Sequence, residues 1–410
     1  MDYFNTNSSR RAMIKNLGNT LFMGTTIIPL QRILAQTSRA DRNISITGIE
    51  VFIVNVTHRT NWIIVQLTAS NGVTGLGEGS LGRRAELEEL KEFYALVKGK
   101  SPFDIQHYRQ QGWLRAASGD RLLAASFSAI EMALWDINGK TLEVPFHQLI
   151  GGKIYESLPV YANINRATSI RTPQGFATNA RQAVAEGFKA IKAAPFDGFP
   201  ALNSPIAEIN RARKSGVDAV FAMREAVGNE IAIKIDAHSY FDVALSIEIA
   251  KELESANLSW YEEPVAPTQL EDTVAIHQKI KQTMAGGEFL FGMQGFRPII
   301  ESRVVDIIMP DIKYCGGLLE AIKIATLAEN FEIKVAPHNP SGPVSTAASV
   351  ALCSVLPNFD ILEYQWGEAE WRTNLIEPKE SIVNGFIQVN HRPGFGISLN
   401  QDVLEAHRLK

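Results

Sequence analysis

Cysteine and surplus positive charge are both scarce in this chain, and each scarcity argues against a class of protein. The 410 residues include two cysteines, Cys315 and Cys353, which form neither a CxxC pair nor a metal-ligand spacing, so buried thiols are expected. Lys and Arg number 40 against 44 Asp and Glu, for a net charge of −4, so nucleic-acid binding is not expected. No run of eighteen apolar residues predicts a membrane-spanning helix outside the N-terminus, and the mature protein is expected to carry none.

The N-terminal segment 1–42 carries a targeting pattern and is considered apart from the folded chain. The sequence SRRAMIK, Ser9 to Lys15, precedes a moderately apolar stretch without any acidic residue, and it resembles a twin-arginine export signal. The small residue Ala35 could end the signal, although the A-x-A cleavage pattern is missing. We expect a periplasmic protein whose folded part starts near residue 43. If the segment is instead a basic tail, the protein is cytoplasmic.

The chain as a whole is 45% hydrophobic and 20% charged, which is typical of a globular protein, and its 410 residues are enough for two domains. Segment 43–155 begins with alternating apolar and polar residues and then turns to helical spacing, which predicts an α+β domain. Segment 156–370 holds eight short apolar strand candidates that alternate with helical segments. Repeated β-then-α units of this number predict an α/β fold of the (β/α)8 barrel type.

Active sites of such barrels lie where the strands end, so the last residue of each candidate strand is informative. From the second strand onwards, each of the seven strands ends in an ionisable group. A barrel rim exposed to water needs only polar residues, so contact with solvent does not explain an ionisable group at every strand end. The groups are Lys192, Asp236 with His238, Glu262 with Glu263, Glu288, Asp311 with Lys313, His338 and Glu363.

Three of these carboxylates have an even spacing. Asp236, Glu262 and Glu288 are separated by 262 − 236 = 26 and 288 − 262 = 26 residues, one barrel unit each. Neighbouring strands would bring the three anions together, where they repel one another unless a cation lies among them. Oxygen ligands without sulfur or histidine favour Mg²⁺. The sequence therefore predicts a magnesium site.

Asp311 and His338 end the next two strands and are predicted to touch. A carboxylate that accepts from one imidazole nitrogen fixes the tautomer and leaves the other nitrogen as a base. Asp236 and His238 form a second pair at a strand end, where positions i and i+2 point to the same side. The strand end alone leaves open whether this second pair is a capping Asp with a surface His or a functional pair.

Taken in order, the segments DAH, WYEEP, GGE, MPDIKYCGG, APHNPSGP and LEYQ resemble the enolase superfamily, and in particular its mandelate racemase subgroup. The similarity extends from residue 44 to the C-terminus. It implies a modified TIM barrel, (β/α)7β, in which the final helix is replaced. It also implies that segment 371–410 returns to an α+β capping domain, and that Mg²⁺ binds Asp236, Glu262 and Glu288 for removal of a proton α to a carboxylate.

Two positions of this sequence, compared with the pattern of the mandelate racemase subgroup, narrow the expected reaction. Many members carry a K-x-K pair on the second strand, but here Lys192 is followed two positions later by Ala194, so a lysine base is absent. Family members that dehydrate sugar acids, such as galactonate dehydratases, have a histidine at the position of His238, where it acts as general acid. The resemblance therefore implies an acid sugar dehydratase that produces a 2-keto-3-deoxy acid, a hydro-lyase.

The expected mechanism gives a role to each remaining residue. His338 would be the base, oriented by Asp311, Lys192 would neutralise the substrate carboxylate, and Glu363 is expected to be protonated and to donate a hydrogen bond. Asn163 and Asn165 would either hold substrate hydroxyls or stabilise loops. Arg83 and Arg84, in a loop expected to face the barrel mouth, are candidates for binding the distal end of the substrate.

Alternative functions use the same fold. Epimerisation needs bases on both faces of the substrate; Ala194 in place of a lysine argues against it, although His238 could serve as the second base. Lactone cycloisomerisation needs only one base and a leaving group. A barrel that binds sugar acids without turnover is the non-enzymatic alternative. The expected partners are a small sugar acid and, by analogy with the family, further copies of the chain; the sequence does not identify the sugar acid.

Overall fold

The N-terminal part of the chain forms a three-stranded antiparallel sheet covered by three helices. The computed structural model describes residues 44–80 and 87–409, and every structural statement below refers to these ranges. Alternating side chains of the central strand, such as Ile63 and Val65, are buried against Phe93 and Phe127 of the helices. The elements are β1 (Ile46–Asn55), β2 (Asn61–Ala69), β3 (Thr74–Glu78), α1 (Leu87–Val97), α2 (Ile105–Ala116) and α3 (Arg121–Thr141).

Glycines let β3 lie directly against helix α3. A Cβ atom on Gly75 would lie 2.2 Å from the carbonyl oxygen of Ala133, and one on Gly77 would lie 2.0 Å from that of Ala129. Any larger residue would force the strand and the helix apart, which explains the TGLGE sequence of this strand.

Eight parallel strands then form a closed barrel. Each strand from β4 to β9 pairs with the next, and β11 pairs with β4. Between β10 and β11 the barrel closes where the backbone N–H groups of Val335 and Asp360 donate to the carbonyls of Asn358 and Val335, both at 2.9 Å. The strands are β4 (Ser157–Asn163), β5 (Ala190–Ala193), β6 (Ala232–Asp236), β7 (Trp260–Glu262), β8 (Met284–Gly286), β9 (Ile307–Ile308), β10 (Lys334–Val335) and β11 (Leu362–Gln365).

Seven helices alternate with these strands, and the chain after β11 continues into short strands instead of an eighth barrel helix. The modified (β/α)7β barrel predicted from the sequence is confirmed. Among residues 44–80 and 87–409, no helix is both long and apolar enough to cross a membrane. After the short α4 (Phe146–Leu149), the barrel helices are α5 (Pro173–Ala185), α6 (Ile206–Val227), α7 (Val243–Glu252), α8 (Leu270–His277), α9 (Gly292–Glu301), α10 (Leu318–Asn330) and α11 (Pro343–Cys353).

The barrel interior is a packed core, not a channel. Tyr161, Trp260, Ile307 and Met309 are among the buried side chains that form a separate hydrophobic cluster with strand residues around the barrel. A filled interior restricts solvent and ligands to the ends of the barrel.

The C-terminal segment joins the barrel to the N-terminal domain. Strand β14 pairs antiparallel with β4, the backbone N–H of Phe395 donates to Asp136 of α3 at 2.8 Å, and that of Leu409 donates to the carbonyl of Ile53 in β1 at 2.8 Å. The predicted return of the chain to the capping domain is therefore confirmed. The elements are β12 (Ile376–Glu377), β13 (Ile382–Val383), β14 (Phe386–Gln388), β15 (Ser398–Leu399) and α12 (Gln401–His407).

Two buried glutamates of the capping domain hold it against the barrel. Glu78, at the end of β3, accepts backbone hydrogen bonds from Gly342 at 2.6 Å and Ser345 at 2.9 Å, at the start of α11. Glu131 of α3 accepts from the backbone N–H of Leu318, at 2.6 Å, at the start of α10. Carboxylates stabilise helix N-termini, whose first N–H groups lack partners within the helix. These contacts hold the capping domain next to the loops that follow β9 and β10.

Candidate active site

Three carboxylates meet at the carboxyl ends of β6, β7 and β8. Asp236 and Glu262 are direct partners in the β6–β7 register, and Glu288 follows β8 by two residues. One oxygen from each side chain lies within 4.8 Å of the others, and the three residues are 3%, 0% and 3% exposed. The evenly spaced carboxylates recognised in the sequence thus form one buried cluster, called the acidic triad below.

The acidic triad is electrostatically incomplete without a cation. Burial, reinforced by the neighbouring charge of Asp236, raises the pKa of Glu262 to about 8 and that of Glu288 well above its usual value. No described donor makes a hydrogen bond to the buried Oε2 of Glu288. His338 Nε2 lies 3.0 Å from this oxygen, but in an orientation that does not meet hydrogen-bond geometry. Converging buried oxygens with an unpartnered atom fit a hard divalent cation.

Lys192 of β5 is a cation next to the triad. Its Nζ lies 2.9 Å from Glu262 Oε1, 3.8 Å from Asp236 Oδ2 and 3.3 Å from Glu363 Oε1. Although burial lowers the pKa of Lys192, the carboxylates of Glu262 and Glu363 raise it well above its usual value. The ammonium is therefore charged and held in the floor of the site.

His338 and Asp311, after β10 and β9, make the contact that the sequence predicts. The Nδ1 atom of His338 donates to Asp311 Oδ2 at 2.8 Å, and its Nε2 atom faces Glu288 of the triad. Burial lowers the pKa of His338, so the imidazole is neutral near pH 7. Asp311 is itself held by the backbone N–H of Lys313 at 2.8 Å and by the Lys313 ammonium at 3.4 Å.

The expectation that Glu363 is protonated is wrong. Oε1 of Glu363 accepts from Asn163 Nδ2 at 2.5 Å, and Oε2 accepts from the backbone N–H of Asn339 at 2.8 Å. Burial raises the pKa of Glu363, but the Lys192 ammonium and these donors outweigh it and hold the pKa below its usual value. Glu363 is an ionised acceptor, not a donor.

His238 lies on the other side of the triad, where the chain leaves β6. Its backbone is left-handed, with φ +45°, and Ser239 follows at φ +57°. Such conformations are strained for non-glycine residues and persist where contacts hold them. Here the N–H of His238 donates to Asp236 Oδ1 at 2.9 Å, and that of Ser239 donates to the carbonyl of Glu263 at 2.7 Å.

Both ring nitrogens of His238 contact carboxylates. Nδ1 lies 2.5 Å from Asp197 Oδ1, and Nε2 lies 2.9 Å from Asp236 Oδ2. Because a carboxylate only accepts, Nδ1 carries a proton that it donates to Asp197. Partial burial lowers the pKa of His238, but Asp236 and Asp197 together raise it to about 12. The two histidines that flank the triad therefore differ in charge, His338 neutral and His238 cationic.

The other predicted site residues lie in different surroundings. Asn163 contacts Glu363 in the floor of the site, whereas Asn165 uses its amide to hold loops, since its Nδ2 donates to Asp197 at 2.9 Å and its Oδ1 accepts from the backbone N–H of Ala194 at 3.2 Å. This favours the loop-stabilising alternative for Asn165. Arg83 and Arg84 fall outside the described residues.

Sequence reasoning missed two groups of residues at the site. Asp197 lies in the loop after β5, four residues beyond the strand end, where no spacing rule points to it. Phe289 and Tyr314 form an aromatic wall, with the Phe289 ring 5.9 Å from that of His338 and 5.7 Å from that of Tyr314. The guanidinium of Arg121, from the capping domain, lies 4.4 Å from the Phe289 ring centre.

Comparison with known families agrees with this architecture. Residues 39–151 match the mandelate racemase/muconate lactonizing enzyme N-terminal domain, and residues 175–403 match the family described as enolase C-terminal domain-like. The chain belongs to the enolase superfamily, in its mandelate racemase group. It is an enzyme of that superfamily, and the acidic triad and the Asp311–His338 pair lie within the matched barrel domain.

Similar members of the superfamily act on sugar acids. The chain is 33% identical to D-xylonate dehydratase of Haloferax volcanii over 385 residues, 90% of each chain. It is 32% identical to D-gluconate dehydratase of Thermoproteus tenax over 355 residues, 84% of this chain and 69% of the relative. Its structure resembles that of 3,6-anhydro-D-galactonate cycloisomerase from Zobellia galactanivorans, with a TM-score of 0.79, 27% identity, and coverage of 89% of this chain and 100% of the other.

Proposed function

We propose that this enzyme is a Mg²⁺-dependent acid sugar dehydratase. It removes the proton α to the carboxylate of a sugar acid and eliminates the C3 hydroxyl, which yields a 2-keto-3-deoxy acid and water. The observation that carries this proposal is the placement of two histidines on either side of the acidic triad, His338 at Glu288 and His238 at Asp236. An elimination needs this combination of a base and an acid. The names of the dehydratase relatives support the same reaction class.

Asp236, Glu262 and Glu288 would hold the metal ion. They offer only hard oxygen ligands, which suit Mg²⁺ better than Zn²⁺. When bound, Mg²⁺ would supply positive charge beside the substrate carboxylate and so stabilise the negative charge that develops as the α-proton leaves.

The protein's own side chains carry the proton transfers. His338 takes the C2 proton at Nε2, because its Nδ1 is occupied by Asp311 and the ring is neutral. The resulting enediolate lies between the two histidines. His238 then protonates the departing C3 hydroxyl from Nε2, the nitrogen that faces the triad. Each of these transfers contributes roughly 10²–10⁴-fold to the rate.

Lys192 and Glu363 act as a pair. Lys192 neutralises part of the charge on the substrate carboxylate, and the ionised Glu363 keeps the lysine charged and in place. This role replaces the hydrogen-bond donation that the sequence suggested for Glu363. Asn163 orients Glu363 through a direct hydrogen bond, and Arg83 and Arg84 remain candidates for contacting the distal end of the substrate.

Lactone cycloisomerisation is the second candidate function. The similarity to a sugar-acid cycloisomerase favours it, and it would start from the same proton abstraction by His338. It needs no acid for a departing hydroxyl, so the position of His238 next to Asp236, opposite His338, supports dehydration as the first choice.

A screen of sugar acids at saturating Mg²⁺ tests the proposal. D-Gluconate, D-xylonate and D-galactonate are incubated with the enzyme, and 2-keto-3-deoxy products are detected by NMR. Formation of such a product from at least one of them supports dehydration. Conversion of a substrate without a keto product would contradict it.

We also propose that the protein is exported by the twin-arginine route, from the pair Arg10–Arg11 in SRRAMIK. This route carries folded proteins, so the metal could be loaded before transport. The segment lies outside the described residues, and the proposal rests on the sequence alone.

A further inference from the structure

We propose that Asp197 is the positioning residue of His238 and completes a second aspartate–histidine pair opposite Asp311–His338. The inference rests on the proposed dehydration, in which His238 is the acid. Asp197 lies in the loop after β5, outside the triad and outside the strand ends that carry the other site residues.

The contacts of Asp197 fix both of its carboxylate oxygens. Oδ1 lies 2.5 Å from His238 Nδ1, whereas Oδ2 accepts from Asn165 Nδ2 at 2.9 Å and lies 3.3 Å from the guanidinium of Arg171. With both oxygens held, the carboxylate cannot rotate away from the imidazole without breaking these interactions. The orientation of the His238 ring is therefore set by Asp197, which is itself held by Asn165 and Arg171.

The same aromatic cluster anchors the two loops that supply the pair. Phe196 and Phe199, on either side of Asp197, are buried, and each ring lies 5.1 Å from that of Phe241, three residues after His238. Both contacts are edge-to-face, the arrangement that aromatic rings prefer. The Asp197 and His238 loops are thus packed against each other, and the hydrogen bond joins two fixed segments.

The two aspartate–histidine pairs have the same arrangement around the triad. In each pair Nδ1 of the histidine contacts an aspartate outside the triad, and Nε2 faces a carboxylate of the triad. A partner at Nδ1 determines which nitrogen exchanges protons with a substrate. Asp197 thereby directs proton donation to Nε2 of His238, as Asp311 directs proton abstraction to Nε2 of His338.

Replacing the carboxylate by an amide tests this role. Asp197→Asn should slow dehydration by about 10²-fold, the lower end of what a positioned acid contributes. Exchange of the C2 proton with deuterated solvent should stay within a few-fold of the wild-type rate, because His338 and Asp311 are untouched. The ratio of exchange to dehydration should therefore rise by about 10²-fold. A purely structural role would lower both rates together and leave this ratio unchanged.

Asp218→Asn is the matched control. Asp218 also pairs with a cation, Lys214 at 2.7 Å, but it is half-exposed on α6. This variant should keep both rates. A double variant carrying Asp197→Asn and His238→Asn should dehydrate no more slowly than His238→Asn alone, since Asp197 acts through His238. Additive losses, or an unchanged exchange-to-dehydration ratio in Asp197→Asn, would overturn the inference.

A spectroscopic measurement separates this inference from the proposed function. In the Mg²⁺-loaded wild-type enzyme, a downfield proton NMR signal from His238 Nδ1 is expected, and it should disappear in Asp197→Asn and persist in Asp218→Asn. This readout needs no turnover. If the signal behaves so but no sugar acid is dehydrated, the proposed function fails and the positioning role stands. If the signal persists in Asp197→Asn, the positioning role fails whatever the reaction.

Discussion

At the scale of single residues, His338 and His238 have the same kind of partner at Nδ1 but differ in protonation state. Burial lowers the pKa of His338 and keeps its ring neutral, whereas Asp236 and Asp197 outweigh the effect of burial and raise the pKa of His238. A neutral imidazole can take a proton and a cationic one can give it, so the two residues should affect different steps.

We therefore expect the two histidine variants to separate the half-reactions. His338→Asn should abolish both dehydration and C2 proton exchange, because no base starts the reaction. His238→Asn should lose dehydration by roughly 10²–10⁴-fold and retain exchange, since the enediolate still forms and is reprotonated. Mass spectrometry of substrate recovered from deuterated buffer measures exchange. Loss of exchange in His238→Asn with exchange retained in His338→Asn would reverse the assignment.

The sequence predicts the position of a side chain correctly where strand periodicity determines it. The prediction fails where residues from distant segments determine the ionisation or the contacts of the side chain. The positions of Asp236 and Glu262 follow from strand ends in neighbouring strands. The ionisation of Glu363 depends on Asn163, Lys192 and Asn339, which lie on three other strands or loops. Asp197 was missed for the same reason, because only packing of two loops brings it to His238.

At the scale of secondary-structure elements, eight short strands were recognisable because each apolar run ends in a polar or ionisable group. Boundaries were harder to predict: β9 and β10 are only two residues each, Ile307–Ile308 and Lys334–Val335, although longer apolar runs surround them. Adjacent apolar residues such as Met309 and Ala336 still point into the barrel core, so the sequence pattern extends beyond the hydrogen-bonded strand.

Glu78, at the end of β3, links the capping domain to the start of α11 and gives a prediction about stability. Glu78 is fully buried and accepts from Ser80 Oγ and from two N–H groups at the start of α11. In Glu78→Gln an NH₂ group replaces one of the two carboxylate oxygens. This group is a donor, and it would face a backbone N–H group that has lost its acceptor. We expect a loss of about 1–3 kcal/mol in the free energy of unfolding. We also expect a lower kcat, because α11 follows the loop that carries His338.

Urea denaturation measures the first effect, and Glu88→Gln is the control. Glu88, in the first turn of α1, makes an exposed ion pair with Lys91, and 82% of its side chain is accessible. This control should change stability by less than about 0.5 kcal/mol. If Glu78→Gln were as stable as Glu88→Gln, the buried glutamate would not hold the domains together.

At the scale of the whole molecule, the acidic triad makes stability depend on metal. Mg²⁺ that binds only the folded state should stabilise it by about 2.7 kcal/mol at a concentration of 100 Kd. Glu288→Gln removes one of three crowded buried carboxylates, so without metal it should be more stable than wild type. The same variant should lose the stabilisation by Mg²⁺.

Melting curves with Mg²⁺ and with excess chelator measure both effects. Glu301→Gln, which removes an exposed carboxylate that pairs with Arg297, should leave the response to Mg²⁺ unchanged. An equal shift by Mg²⁺ in wild type and in Glu288→Gln would show that the metal binds elsewhere.

Export is a second property of the whole molecule. Replacing Arg10 and Arg11 by Lys should hold the protein in the cytoplasm, because the twin-arginine route recognises the arginine pair. Cell fractionation followed by N-terminal sequencing measures this, and replacement of Lys15 by Arg serves as the control that keeps the pair. Native protein found only in the cytoplasm with Met1 intact would contradict the export proposal.

The central claim is that the triad and its two flanking histidines carry out a metal-dependent elimination. Its most direct test is ¹H NMR of D-gluconate and D-xylonate incubated with the wild-type enzyme and Mg²⁺ in deuterated buffer, with a parallel sample in excess chelator. The account predicts a 2-keto-3-deoxy product that carries solvent deuterium at C3, and no product in chelator. Conversion that continues unchanged in chelator, or conversion to a product without a keto group, would contradict the account.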